Sequence, residues 1–492
     1  CILLWALSSP FYWKRKGVPY LFPLPLFGSS LSLLLMSFQD FYEKLYKNYQ
    51  NEKYFGLHHF TRPALFIRDP SLIKDIFIRD FEYFKSIALY SNFDNDPFGE
   101  SLVFLHGHAW QYMRLKLSQQ FTPSKLRSLN DYVENIMKKA TNFINKSIKQ
   151  NAPIEIVQLM ANITTDVIVQ ALFGIETDCF EEKSLFSSLG PRMFCSKTST
   201  KLMISSVAPK LNDLLKINLV GKDVTEFIEN VIKDVIEYRE KNQINKNDFL
   251  GAMMNIMKTN ENSNKKEKYF PDKTRVSDYS FKTILAQVLL LIGGGAESVS
   301  MPMSFFFYEV SLHQEVQDKC REEIMAVVKE TGTDIRPEDV NKLTYLNMAI
   351  KETLRKHPPF IAVMRKCTKR YQFRDSKLTI EPGTLILVPI RNIQWDPNNY
   401  PDPELFIPER FSDENKASID AGAFLPWGLG PKSCFGQYFA RMEMLLVMSR
   451  LLRNYRFTIS SKTEIPVKIC RYRMVITPNP GIWLNVEPIN LT

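Results

Sequence analysis

One cysteine constrains this chain more than any other residue. Cys434 stands in the stretch Phe424-Leu-Pro-Trp-Gly-Leu-Gly-Pro-Lys-Ser-Cys434-Phe-Gly436, framed by Gly428, Gly430, Pro431 and Gly436, with Lys432 two places upstream. Good helix formers follow at once, from Tyr438 to Leu446. The pattern predicts a tight loop that delivers one sulfur to the start of a helix, where free backbone N–H groups favour a thiolate over a thiol. Glycines in such a loop let a flat, bulky partner come close to the backbone. A buried structural cysteine beside a turn is the blander explanation, and the framing residues are too specific for it.

The rest of the composition narrows the setting. A chain of 492 residues that is 45% hydrophobic buries a large core, and no Gly/Ser-rich linker or internal repeat divides it. The polar stretch Lys258–Lys268 reads as a solvated connection between helices. Residues 17–492 are therefore expected to form a single catalytic domain. The seven cysteines are odd in number, scattered and never paired as C-x-x-C, which argues against a disulfide framework and against structural zinc. Neither an H-E-x-x-H zinc motif nor a G-x-x-x-x-G-K phosphate loop is present. The formal charge of +10 suits contact with anionic lipid or an acidic protein partner. Its basic residues are spread out and form no nucleic-acid motif.

At the N-terminus, Cys-Ile-Leu-Leu-Trp-Ala-Leu leads through Tyr12-Trp13-Lys14-Arg15-Lys16 into a proline-rich stretch ending at Gly28. Seven apolar residues cannot span a bilayer. An apolar stub followed by aromatics and a basic cluster is how a membrane helix meets its cytoplasmic interface. Residues 1–16 are thus expected to be the end of a longer anchor with its basic juxtamembrane segment; the alternative is an apolar arm packed on the domain.

Three further segments accompany the cysteine. The run Phe281–Ile292, continued by Gly293-Gly-Gly-Ala-Glu297-Ser298 and Phe305-Phe-Phe-Tyr308, predicts a long helix buried on most sides. Three interior glycines each cost about 1 kcal/mol relative to alanine, so they need a reason, such as close approach of a large ligand or a helix crossing. Glu297 and Ser298 place an acid beside an alcohol, able to carry protons into an apolar pocket. In the second segment, Glu352 and Arg355 lie three apart on a helix that must stop before Pro358. With Arg410 downstream they could form a buried set pinning that helix to the approach to Cys434. In the third, Trp110 and Arg114 project from one helix face and together suit a carboxylate on a flat ligand.

These residues resemble one family. The segment Trp427–Gly436 is similar to the haem-thiolate loop of cytochrome P450 monooxygenases, F-G-x-G-x-R-x-C-x-G. Gly294-Gly-Ala-Glu-Ser298 looks like the oxygen-activating A-G-x-E-T; Glu352-x-x-Arg355, Pro408-Glu-Arg-Phe411 and Trp110-x-x-x-Arg114 match the family's E-x-x-R, P-E-R-F and W-x-x-x-R, all in the family's order. Tyr12–Tyr20 and Arg62–Pro70 look like microsomal, insect-type members associated with foreign-compound metabolism.

The resemblance implies a mostly α fold with a smaller β region, and a b-type haem between the long helix and the cysteine loop. Cys434 would be its proximal ligand, the thiolate favouring O–O cleavage. Trp110, Arg114, Arg365 and Lys432 would hold the haem propionates, and Trp427, Gly428 and Gly436 would shape the loop against the ring. Glu352, Arg355 and Arg410 would form a structural triad, and Glu297 with Ser298 would deliver protons on the distal side. The implied reaction inserts one oxygen atom from O2 into an apolar small molecule. Electrons would come from NADPH through a separate reductase, with cytochrome b5 a further donor, at the endoplasmic reticulum membrane with the catalytic domain facing the cytoplasm. Ile87–Phe104, Phe360–Val363 and the Phe305–Phe307 neighbourhood are the expected substrate-lining stretches.

Departures from the pattern also carry expectations. Ser298 replaces threonine and loses the methyl that restricts its rotamer. Trp427 replaces phenylalanine against the thiolate, and Lys432 puts a point charge where arginine has a planar fork. Gln394-Trp395 stands where histidine is common, so one polar contact to haem is expected to be lost. Pro302 cannot donate to the Ser298 carbonyl, which predicts a bend over Ser298–Pro302. A haem-thiolate isomerase or dehydratase, and a weakly active haem protein that binds apolar ligands, are the competing functions.

Overall fold

The apolar run around Gly293 becomes the axis of the protein. In the computed structural model, Phe281–Leu312 is one 32-residue helix, started by Ser280, whose hydroxyl accepts the Thr283 N–H. Described residues are 11–24, 27–29, 32, 36–60, 62–121, 127–187, 189–246, 248–261, 268–269, 275–276, 280–374 and 376–489. The long helix runs unbroken through Pro302 and is buried along most of its length, so its hydropathy is that of a core element.

Helices that position the site are α1 (Gly107–Ser118), α2 (Ile156–Phe173), α3 (Leu189–Met193), α4 (Ser196–Val207), α5 (Pro209–Leu215), α6 (Phe281–Leu312), α7 (Thr344–Lys356) and α8 (Gln437–Asn454). Helix α2 lies along α6, and the Thr164 hydroxyl donates to the Ala296 carbonyl at 3.0 Å. Helix α7 stops at Lys356, one residue before His357-Pro358, as the proline requires.

A five-stranded sheet flanks the helices. Its strands are β1 (Tyr54–His59), β2 (Arg62–Ile67), β3 (Ser86–Ile87), β4 (Val363–Lys366) and β5 (Leu385–Val388), in the spatial order β1-β2-β5-β4-β3. Arg365 on β4 sits opposite Ile386 on β5 and Ile87 on β3, which holds it inside the sheet rather than at its rim. One hydrophobic cluster runs from Trp13 through α6 to Leu484.

Several expectations change here. Phe305, Phe306 and Phe307 are fully buried: Phe305 stacks on His357 at 4.2 Å and Phe307 packs on Phe457, so they fill the core and do not line a substrate space. The start of the polar stretch Lys258–Lys268 is helical, because the helix Phe249–Glu261 extends into it; residues 262–267 lie outside the described residues. Residues 1–10 of the expected anchor stub are also outside them. Its remainder is docked: Trp13 is buried and donates from Nε1 to the Leu57 carbonyl, and Lys16 donates to the Thr379 carbonyl.

Candidate active site

The cysteine loop is shaped by two glycines that no other residue replaces cheaply. Gly428 and Gly430 adopt φ of +70° and +71°, and a Cβ on Gly430 would meet the Phe77 carbonyl oxygen at 2.0 Å. The loop closes when the Cys434 N–H donates to the Trp427 carbonyl at 2.7 Å, and α8 starts three residues later. Cys434 is exposed, yet the protein packed around it still acts on its sulfur. Burial pushes its thiol up, against the opposing pull of the Gly436 backbone and Arg114. The backbone at the helix start thus pulls toward the thiolate as the loop pattern predicts, while the protein packed around the sulfur works against it.

Beside the loop three cations converge. The Lys432 amine sits 4.3 Å from the centre of the Trp110 ring, and the Arg365 guanidinium 4.9 Å from that of Phe77. Lys432 Nζ and Arg365 Nη1 are buried without a hydrogen-bond partner. Burial, then Arg365 and Arg114, lowers the Lys432 amine to about 6, and burial lowers Arg365 to about 10. Arg114 donates from Nη1 to the Ser433 carbonyl at 2.8 Å, clamping α1 to the residue before the cysteine. Buried basic groups without partners are costly, and a ligand carrying carboxylates would answer Lys432 and Arg365 together and hold the Lys432 proton in place.

Behind the loop, Glu352 and Arg355 are fully buried and paired through two 2.8 Å hydrogen bonds. Arg410 Nε reaches the same carboxylate at 3.4 Å. Arg355 also donates to the carbonyls of Gln394, Pro403 and Leu405. The three expected residues are therefore together, with every strong donor used, which a buried ion pair needs. Gln394, where a polar contact to haem was expected to be lost, spends its side chain on the backbone instead. Its amide donates to the Leu354 and Arg355 carbonyls at 3.0 and 2.8 Å, and its oxygen accepts the Leu425 N–H at 2.8 Å. The residue ties the end of α7 to the start of the cysteine loop. No motif signals this role in the sequence.

On α6 the three glycines divide. A Cβ on Gly293 would meet Phe194 at 2.9 Å and one on Gly295 would meet Ile168 at 2.7 Å, whereas one on Gly294 meets nothing within 4 Å. Packing explains two of them, and only Gly294 faces open space. Ser298, one turn on from Gly294, is half-buried and donates its hydroxyl to the Gly294 carbonyl at 2.5 Å. Glu297 takes another direction. It is 2% exposed, its Oε1 pairs with Arg473, and its Oε2 has no partner. Burial outweighs the arginine and raises the carboxyl to about 7. The acid and the alcohol thus share no hydrogen bond here. Arg473, which lies 176 residues away in sequence, went unnoticed at the level of motifs.

Among the described residues, no three His, Cys, Asp or Glu side chains are placed to share a metal ion. The arrangement instead offers a single sulfur, unanswered cations at one edge and an open helix face at Gly294. Those features fit a flat prosthetic group that brings its own metal and carries two carboxylates. The sequence profile of the family described as cytochrome P450 matches residues 18–486. The chain belongs to the cytochrome P450 family. It is similar to the probable cytochrome P450 6a14 of Drosophila melanogaster, 31% identical over 488 residues, covering 97% of this chain and 95% of the relative. Cytochrome P450 6a2 of the same fly is 32% identical, at 97% and 95% coverage. Cytochrome P450 6k1 of the cockroach Blattella germanica is 32% identical, at 96% and 92%. These relatives are insect proteins, and the family makes this chain a haem-thiolate monooxygenase that uses a redox partner and a small-molecule substrate.

Proposed function

We propose that Cys434 is the proximal haem ligand of a microsomal monooxygenase acting on apolar foreign or endogenous compounds, fed from NADPH through cytochrome P450 reductase and cytochrome b5. The observation that carries the residue roles is the pair of buried, partnerless cations, Lys432 and Arg365, beside the one cysteine whose loop glycines are conformationally required. Haem, when bound, supplies the oxygen and electron chemistry. This chain's residues do the rest. Lys432, Arg365, Arg114 and Trp110 hold the propionate edge, the last through its face against Lys432. Gly294 leaves the distal helix face open. Glu352, Arg355 and Arg410 pin α7, and Gln394 transmits that rigidity to the loop holding the sulfur. Glu297 keeps an exchangeable proton near neutral pH, and Ser298 presents a hydroxyl one residue away.

The apolar start of the sequence and the basic cluster Lys14–Lys16 fit contact with a membrane, and the catalytic domain would then face the cytoplasm at the endoplasmic reticulum. The test is spectroscopic. The reduced holoprotein with carbon monoxide should give the red-shifted Soret band of thiolate ligation, and Cys434→His should abolish that band while haem is retained. Retention of the band in the variant would remove Cys434 from its role. Turnover of apolar compounds should require both NADPH and reductase.

A further inference from the structure

Glu297 pairs with Arg473, a buried ionic contact on α6 that the site described above does not explain. Arg473 lies in the C-terminal loop. Its Nε donates to the Phe194 carbonyl at 3.1 Å, and the next residue, Met474, donates its N–H to the Ser199 hydroxyl at 3.2 Å. The guanidinium is thus held from the turn between α3 and α4 while its other nitrogen grips Glu297. Gly190 on α3 packs its Cα side against the Glu297 Cβ, with 3.6 Å for an added methyl. Arg473 holds the carboxylate through Oε1, yet Oε2 is buried and meets no hydrogen-bond partner among the described residues.

Glu297 lines a cleft of about 70 Å³ between α2, α3 and the C-terminal loop. Polar residues in its lining include Glu155, Gln158, Thr165, Ser300, Thr477, Glu297 and Arg473. Gln158 is exposed and Glu297 is buried, so the cleft leads from solvent to the carboxylate. A space of this size with several polar walls has the room and the partners for ordered water. The charged groups that line the cleft with Glu297 are Arg473 from the C-terminal loop and Glu155 at the start of α2; α3 contributes only Gly190 and Pro191, and Arg473 also acts on the Cys195 thiol.

We propose that this cleft is the water route by which protons reach Glu297 from solvent, and that Arg473 is the positioning residue that holds the carboxylate at its inner end. The inference rests on the reading of Glu297 as the distal acid. Arg473 would also link the acid to the turn at Phe194: displacement of that turn would free the guanidinium and, with it, Glu297 to swing toward Ser298. The step is a proton transfer alone, from water to Oε2 and onward, with no change in oxidation state.

Infrared difference spectra of the full-length ferric holoenzyme give a readout independent of turnover. Between pH 6 and pH 8 one carboxyl band should titrate, and Glu297→Gln should remove it. On transfer to D2O that band should shift rapidly in the wild type. Ala161→Leu, which narrows the cleft from α2 without touching either charge, should slow the shift at least about tenfold with an unchanged Soret spectrum. Arg473→Gln should move the titration upward by about one pH unit or more and increase peroxide release per NADPH, and Arg473→Lys should restore both. Equal exchange in Ala161→Leu and wild type would overturn the route, and an unmoved titration in Arg473→Gln would overturn the positioning role. Should Ala161→Leu fail to fold, Thr165→Leu tests the same wall. Failure of the underlying monooxygenase reading would show separately, as a wild-type carbon monoxide complex without the thiolate band.

Discussion

Lys432 Nζ lies 4.3 Å from the centre of the Trp110 ring, and no acceptor reaches it. A ring face offsets part of the charge and cannot replace a hydrogen bond. The side chain is therefore built to be completed by an anion. Lys432→Met should release haem to excess apomyoglobin about tenfold faster or more, the loss of one charge-assisted contact. Lys432→Arg should release it no faster than the wild type, because the planar fork restores bidentate grip.

Glu297 makes stability depend on pH in a direction opposite to most carboxylates. Its folded carboxyl holds a proton to about 7, while an unfolded glutamate loses it near 4.3. Between those values the folded state binds more protons than the unfolded, so stability falls as pH rises through the window. The effect is on the order of 3 kcal/mol when complete above pH 7, and is absent below about pH 4. Chemical denaturation of the wild type and Glu297→Gln at several pH values should show the difference between them shrinking toward acid; a constant offset would contradict it.

Glycines 294 and 295 should respond to alanine in opposite ways. Gly295→Ala drives a methyl into Ile168 at 2.7 Å and should cost about 1–3 kcal/mol. Ile168→Ala removes the atoms it strikes, so the double variant should recover part of that loss relative to the sum of the single changes. Gly294→Ala meets nothing and should leave the fold as stable or up to about 1 kcal/mol better. Its methyl enters the open face instead, so it should weaken binding of bulky apolar ligands, read as loss of their spectral shift.

Gln394→Leu leaves the Leu425 N–H and the Leu354 and Arg355 carbonyls without their side-chain partner. Loss of the buried donor's acceptor alone should cost about 1–3 kcal/mol. Thermal denaturation of the holoprotein should show it, and haem loss should accelerate because the cysteine loop is no longer tied to α7. Gln394→Glu should be at least as harmful, since a carboxylate cannot donate to two carbonyls.

Much of the site was legible in the chain because its logic is local. The loop at Cys434 needs glycines at two left-handed positions, and they stand in the sequence as Gly428 and Gly430. Pro358 marks the end of α7 to within two residues, since a proline's effect on its neighbour does not depend on the rest of the fold. Glu352 and Arg355 share a face by helical spacing, and the apolar run from Phe281 announces a buried helix.

What stayed hidden depends on contacts between distant segments. Periodicity places Glu297 and Ser298 side by side, but only packing shows that one is gripped by Arg473 and the other bonded back to Gly294. Composition does not reveal that Phe305 stacks on His357 in the core, or that Gln394 braces a loop instead of facing a ligand. The sulfur follows the same division. Sequence alone determined that Cys434 would be delivered by a glycine-framed turn at a helix start, because backbone conformation is set by near neighbours. Tertiary structure decided that the protein packed around its thiol pushes it up and that basic groups without partners stand beside it, because solvation and charge are sums over everything that folds around a group.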